Sequence, residues 1–246
     1  MDRMLYVAMS GAKETLIAQA NASNNLANAS TTGFLSDLNQ FRSMPVFGSG
    51  HPTRVYAMDE RPGTDFDFGS VQYTGRDLDV AVKEGGWLAV QAPDGSEAYS
   101  RRGDLRVDEN GLLVTGNDLP VMGNGGPIAI PPFEKIDIGV DGTVSIKPLG
   151  ATADQLAVID RVKLVAPQYE QMKKGEDGLF RLNDGGEAEP DPAQRLVSGA
   201  LVSSNVNVVN EMVDMIELSR RFELQVKMMK TAEESAIAGA SIVKPV

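Results

Sequence analysis

The chain has 246 residues, 42% of them apolar, but no apolar run reaches the roughly 18 residues a membrane-spanning helix needs, so such a helix is excluded. A net charge of −11 argues against nucleic acid, whose phosphates demand basic patches. Cysteine is absent and histidine occurs once, at His51, which removes disulfides, thiolate metal sites and a cysteine nucleophile and leaves no cofactor expected.

The opening residues Met1-Asp2-Arg3-Met4-Leu5-Tyr6 lack a basic stretch followed by a clean apolar one, so no cleaved signal is expected. From Asp2 to about Asn28 the sequence predicts one helix. Leu5, Met9, Ala12, Leu16, Gln19, Ser23 and Leu26 recur at alternating steps of four and three, the spacing of a coiled-coil seam. The helix runs out in Ala22-Ser23-Asn24-Asn25-Leu26-Ala27-Asn28-Ala29-Ser30-Thr31-Thr32-Gly33-Phe34. So many amides are costly inside a helix unless their side chains bond nearby backbone or another subunit. Gly33 can take a positive φ there, and Phe34 is expected to anchor the exit.

Residues 36–75 follow as an expected extended linker, with His51 beside Pro52 in a Gly/Pro-rich stretch that suits a loop better than a base or ligand. Residues 76–200 carry strand and turn signals in dense succession. Leu78–Val82, Trp87–Val90, Glu97–Arg101, Leu105–Asp108, Leu112–Thr115, Ile136–Ile138, Thr143–Lys147 and Leu156–Val165 are separated by turns such as Pro93-Asp94-Gly95, Asn110-Gly111 and Asp141-Gly142. That pattern predicts antiparallel hairpins, and no alternating strand–helix units support a nucleotide-binding sheet.

The last segment, 201–246, predicts a second long helix. Val208, Met212, Met215, Ser219, Phe222, Val226 and Met229 keep the three–four spacing, Val209, Val213 and Ile216 widen the apolar face, and Asn207 is a suitable N-cap. Pro245 cannot lie inside the helix. Twelve of thirteen prolines fall between Pro45 and Pro192, which leaves both ends free to be helical. The fold class is therefore α+β: long terminal helices pairing as a coiled-coil-like layer, with a central antiparallel β-rich domain. Both end segments are nearly neutral and the centre holds almost all the negative charge, as expected if the ends pack together and the centre faces water.

Catalytic chemistry finds little support. Asp108-Glu109-Asn110-Gly111 faintly suggests a calcium loop, but Arg106 and Asn117 stand where ligands are required, so a hairpin turn fits better. Asp77 and Asp79 share one expected strand face and read as solvated carboxylates rather than an acid pair. Gly123-Asn124-Gly125-Gly126 lacks the Lys-Ser/Thr of a phosphate loop. A glycan-binding or glycan-cleaving β domain would need an aromatic-lined groove, poorly supplied by one Trp and five Tyr. A soluble coiled-coil adaptor would not need the Asn-rich exit. An enzyme is not expected.

The stretch Asn24-Asn25-Leu26-Ala27-Asn28 through Thr31, Gly33 and Phe34 resembles the N-terminal signature of the flagellar rod, hook and axial protein family. The run Ser204-Asn205-Val206-Asn207, Glu211–Ile216 and Arg220–Glu223 is similar to that family's closing signature. Thr74–Val82 with Gly86-Trp87, then Tyr99-Ser100-Arg101, Leu113–Thr115 and Pro120–Gly123, resembles its central β block. Met1–Gly11 and Phe41–Val46 are most similar to the members that build the proximal rod, with the distal-rod members as the alternative. The resemblance implies a basal-body rod subunit in the periplasm, exported unfolded by the flagellar type III apparatus and assembling with copies of itself and other rod proteins into a torque-bearing tube. It further implies no membrane insertion, and an assembly interface at Leu5, Met9, Leu16, Asn24, Asn25, Leu26, Asn28, Thr31, Gly33, Phe34, Asn205, Met212, Met215, Ile216, Phe222, Val226 and Met229.

Overall fold

A computed structural model describes residues 4–45, 55–83, 85–150 and 156–243, leaving aside the side chains of 40, 41, 57–62, 242 and 243. The expectations for His51 and Pro245 fall outside the described residues. The chain forms two compact units, one from Met1–Ala29, Ser36–Asp65 and Val206–Val246, the other from Ser30–Leu35 and Phe66–Asn205.

Helix α1 (Met4–Ala27) is followed by strands β1 (Asp37–Pro45) and β2 (Val55–Thr64), and helix α2 (Val208–Val243) closes the first unit. Asn207 caps α2 as its position suggests: its Oδ1 accepts from the amides of Val209 and Asn210 at 3.1 and 3.2 Å. The two helices lie antiparallel, because Thr15 meets Gln225 while Asn25 meets Glu211. Their packed face is not the one the large apolar residues mark. Ala8, Ala12, Thr15, Ala18, Ala22 and Asn25 are buried on α1, whereas Leu5, Met9 and Leu16 are 40–54% exposed. On α2 Leu218 and Ala232 are buried and Met215, Phe222 and Met229 half-buried, while Val208, Met212, Val226, Val209, Val213 and Ile216 are exposed. The expected seam on α1 is thus one residue out of register, about 100° around the helix. Small residues let the backbones approach, and Ala18 and Ala22 pack on Leu218 and Met215. A Cβ on Gly11 would stand 2.8 Å from the Gln225 amide.

The segment 36–75 is likewise more than a linker. β1 and β2 pair antiparallel from Asp37↔Thr64 to Pro45↔Val55, with a bulge between Leu38 and Gln40. Pro62 and Gly63 inside β2 conceal this hairpin from a propensity reading. Its first strand is held from outside, by side chains of α1.

The second unit adds β3 (Val71–Tyr73), β4 (Val80–Val82), β5 (Trp87–Gln91), β6 (Glu97–Ser100), β7 (Leu105–Val107), β8 (Leu113–Thr115), β9 (Phe133–Ile138), β10 (Thr143–Pro148), β11 (Ala157–Arg161), β12 (Leu164–Val165), β13 (Met172–Lys174), β14 (Phe180–Leu182), β15 (Leu196–Ser198) and β16 (Ala200–Val202). They form small antiparallel sheets: β12-β5-β6-β14-β13, β11-β10-β9, and the pairs β15-β4, β16-β3 and β7-β8. The turns do what their residues dictate; Gly95, Gly111 and Gly142 all hold φ near +80°.

Two packed groups fill this unit. Val80, Leu88, Leu105, Leu113, Val121, Ile128, Ile146 and Leu196 make the aliphatic core. Beside it lies an aromatic group around the sole tryptophan. Trp87 is fully buried, Phe66 meets it edge-on at 6.3 Å, and Phe66 stacks on Tyr169 at 4.5 Å. Arg101, 1% exposed, lies over the Trp87 ring at 4.5 Å and donates to Phe66 O and Tyr169 Oη. A buried guanidinium held by rings and carbonyls is a costly arrangement to disturb.

Ala18→Leu should overpack the helix pair and lower the stability of the first unit by about 1–3 kcal/mol. Leu16→Ala, two residues away on the exposed side, should change it by less than about 0.5 kcal/mol. Thermal melts followed by helical circular dichroism read both, and equal losses would show the two faces to be equally packed.

Candidate assembly surface

Three asparagines crowd the end of α1, and the structure gives each a different task. Asn24 faces outward, and Asn28 Nδ2 donates to its backbone oxygen and to its Oδ1 at 3.0 and 3.1 Å, closing the last turn. Asn25 points inward and is 2% exposed. Its Oδ1 accepts the amide of Asp37 at 2.9 Å, and its Nδ2 donates to the carbonyl of the same residue at 2.9 Å. The side-chain amide therefore pairs with β1 as a neighbouring strand would. Nδ2 also donates to Glu211 Oε1 at 3.0 Å. One turn earlier, Asn21 Nδ2 donates to Asn39 Oδ1 at 2.6 Å. Spacing of four puts Asn21 and Asn25 on one side of the helix, and together they hold β1 against α1.

Glu211 sits in the first turn of α2, at the edge of a cleft of about 270 Å³ lined by Ala18, Ala22, Asn25, Asp37, Asp214 and Leu218, among others. Burial raises its pKa above the usual glutamate value, the Asn25 hydrogen bond opposes that, and the charge of Asp214 adds to it. Toward the middle of the pair, Thr15 Oγ1 donates to Gly11 O at 2.8 Å and to Gln225 Oε1 at 3.1 Å. Asn21, Asn39, Thr15, Gln225 and Glu211 were not singled out by periodicity, because they are polar residues on a face that a hydrophobic pattern leaves blank.

The chain leaving α1 belongs to the β unit from Ser30 onward. Thr31 O accepts from the Phe34 amide at 3.3 Å, Gly33 N–H donates to Val202 O at 2.8 Å, and Asn205 N–H donates to Phe34 O at 3.4 Å. Gly33 takes φ +69°, and a Cβ there would stand 2.5 Å from the Arg101 carbonyl carbon. Phe34 is only half-buried, with the Lys174 ammonium 4.4 Å from its ring centroid. The buried anchor is its neighbour Leu35, packed with Trp87 and Phe180; Lys174 Nζ also donates to Leu35 O at 2.8 Å. The expectation that Phe34 fixes the exit is corrected to Leu35.

The structure thus brings Asn25, Met215 and Phe222 into or beside the helix pair, and Gly33, Phe34 and Asn205 into the exit strap. Leu5, Met9, Leu16, Met212, Ile216 and Val226 it leaves outward. On α1 the first three, with Tyr6 and Ile17, are exposed large apolar residues, interrupted by Lys13 between Met9 and Leu16. On α2 Val208, Met212 and Val226 make one flank and Val209, Val213, Ile216 and Leu224 another.

The acidic candidates resolve into structure. Asp77 lies in a turn, while Asp79 is 4% exposed and bonds the Thr74 hydroxyl at 2.7 Å, so they share no strand face. Asp108 accepts the amides of Asn110 and Leu112 at 2.9 and 2.7 Å as a hairpin turn. Among the described residues no group of three or more His, Asp or Glu is arranged to hold a metal ion, and no helix is long and apolar enough to cross a membrane.

Gly33→Val should destabilise the β unit by more than the roughly 1–2 kcal/mol of a left-handed β-branched residue, since its Cβ also meets backbone. Leu35→Ala should cost about 2–5 kcal/mol and Phe34→Ala less. Chemical denaturation of the three variants gives the order, and Phe34→Ala as the most damaging would contradict it. Asn25→Ala should cost the first unit about 1–3 kcal/mol, because the Asp37 amide and carbonyl lose their buried partner; an unchanged helical melt would show that the amide is dispensable.

The chain matches three families over separate stretches: "Flagella basal body rod protein" at residues 5–34, "Flagellar hook protein FlgE/F/G D1 domain" at 81–146, and "Flagellar basal body rod FlgEFG protein C-terminal" at 197–241. It is 44% identical to the flagellar basal-body rod protein FlgF of Escherichia coli, over 96% of both chains. It is 43% identical to FlgF of Salmonella typhimurium, again over 96% of each, and 32% identical to the rod protein FlgG of Bacillus subtilis, over 95% of this chain and 96% of that one. None of these families is catalytic. By end-to-end similarity, and by terminal helices and a β unit falling where the three matches fall, the chain belongs to the flagellar basal-body rod protein family.

Proposed function

We propose that this chain is a structural subunit of the flagellar basal-body rod, of the kind that builds the proximal part. The observation that carries the reading is identity of 44% to a rod protein across 96% of both lengths. The lower similarity to FlgG favours the proximal over the distal position. Copies of this chain and other rod proteins join head to tail into a helical tube, each subunit offering one patch to a different patch on the next. The tube works as a drive shaft carrying motor torque across the periplasm, and the chain reaches it through the flagellar type III export apparatus.

The exposed stripes support a division of labour within the first unit. The small-residue face of α1 and the Met215, Leu218, Phe222 face of α2 pair within one subunit, in the manner of a coiled coil. The stripe of Leu5, Met9 and Leu16, with the flanks of α2 that carry Met212, Ile216 and Val226, takes neighbouring subunits. Burying such stripes between subunits is worth about 25 cal/mol per Å² of apolar surface, repeated along the tube. Asn24 and Asn28 close the last turn of α1, and Gly33 and Asn205 hold residues 33 and 34 within the β unit.

Met9→Glu combined with Ile216→Glu should leave the melt of the isolated chain unchanged but abolish swimming, with basal bodies lacking a complete rod. Swimming cells would place the subunit contacts elsewhere. Since α1 buries mainly alanines, its pairing in the free chain is marginal against the entropy of ordering. Hydrogen exchange should be faster in residues 4–27 and 208–243 of the free chain than in the strands between Trp87 and Pro148; uniform protection would show the helical unit to be as stable as the β unit without partners.

A further inference from the structure

We infer that the junction of α1, β1 and α2 is a proton-sensitive clasp, in which protonation of Glu211 tightens the pairing of the terminal helices. The inference rests on the geometry of one chain and holds whatever the assembled neighbours are.

The Asn25 amide is shared three ways, and only its bond to Glu211 reaches α2. What surrounds that carboxylate is negative. β1 contributes Asp37 to the cleft, α2 contributes Asp214 and Glu217, and α1 contributes Asn25 and alanines but no charge. Arg221 is the one cation lining the cleft among the described residues, and it is paired with Glu217 at 3.3 Å. Closing α2 onto α1 therefore moves Glu211 out of water and keeps it among carboxylates, both of which disfavour its charged form. A protonated Glu211 keeps its carbonyl oxygen as acceptor for Asn25 and gains a donor that can face Asp214. Ionised, it keeps the Asn25 bond but also the repulsion.

The direction follows from linkage. Burial, less the Asn25 bond and plus the Asp214 charge, lifts the Glu211 pKa in the paired state. The paired state then binds the proton more readily than the open one, so pairing strengthens as pH falls through the raised value and weakens as pH rises through it. The β unit responds the opposite way. Asp108, Asp141 and Asp177 are held below the usual 3.8, by the Leu112 amide, the Thr143 hydroxyl and the Arg181 guanidinium respectively. They therefore stay ionised in mild acid, where the clasp responds. Among the described residues no imidazole lines the cleft, so its response to acid falls to the Glu211 carboxyl.

The chain has no cysteine, so spin labels at Ala20→Cys and Arg220→Cys, both exposed positions on the paired helices, report the α1–α2 distance in the full-length protein. The ratio of paired to open molecules should rise as the pH is lowered from about 7.5 toward the ordinary glutamate value of 4.5. Glu211→Gln, which keeps the acceptor without the charge, should show the higher ratio at both values and lose most of the dependence. Asp214→Asn should reduce the dependence while retaining its direction. A ratio that does not rise with acid, or one that rises equally in the Glu211→Gln protein, would overturn the inference.

Discussion

The first unit depends on where one side-chain amide points. Asn25, buried at the last full turn of α1, uses its oxygen and nitrogen to pair with the backbone of Asp37, and the same nitrogen to hold Glu211 of α2. A side chain with three partners in two other elements fixes the rotation of its helix. Once Asn25 faces inward, Ala22, Ala18 and Thr15 must also face inward, since they recur at the same three–four spacing. Leu5, Met9 and Leu16 are thereby turned out. The exposure of these large apolar residues goes with the inward position of the amide.

That constraint explains what the sequence told and what it concealed. Strands between Val80 and Val165 were legible because tight turns with glycine at positive φ, such as Gly95, Gly111 and Gly142, punctuate short apolar runs. Both helices were legible from their periodicity and from Asn207. The pairing face was not. A hydrophobic pattern finds the stripe with the largest residues, whereas two helices that approach closely choose alanine, glycine and threonine and bond through polar groups. The β1–β2 hairpin was missed for a related reason: β1 is held by Asn21 and Asn25 from another element, and Pro62 and Gly63 argue locally against a strand. At the exit, Phe34 drew notice as the larger residue, while Leu35 is the one that reaches the aromatic core. The family signature, in contrast, was legible throughout, because its Asn, Gly and aromatic positions are tied to particular bonds: Asn25 to β1, Gly33 to Val202, Trp87 to Arg101.

The two units are stabilised in different ways. The β unit is closed by an aliphatic core and by Trp87, Phe66, Tyr169 and Phe180 packed around the buried Arg101, so it can stand alone before any partner arrives. Among its described side chains the helical unit buries five alanines, Leu218, Thr15, Asn25 and Ser36, and many of its large apolar residues are outward. A unit lean in intrachain burial gains the more from apolar surface buried against a neighbour.

The central claim is that α1 presents its small face within the subunit and its large apolar face to other subunits. Single cysteines at Leu16→Cys and Ala18→Cys, in a chain that otherwise has none, separate the two faces by chemistry. Maleimide labelling in the free chain and in purified basal bodies should find Cys at position 16 reactive when free and protected in the rod, and Cys at position 18 less reactive than position 16 when free and protected in the rod. A position 16 thiol that stays freely reactive in assembled rods would contradict the account.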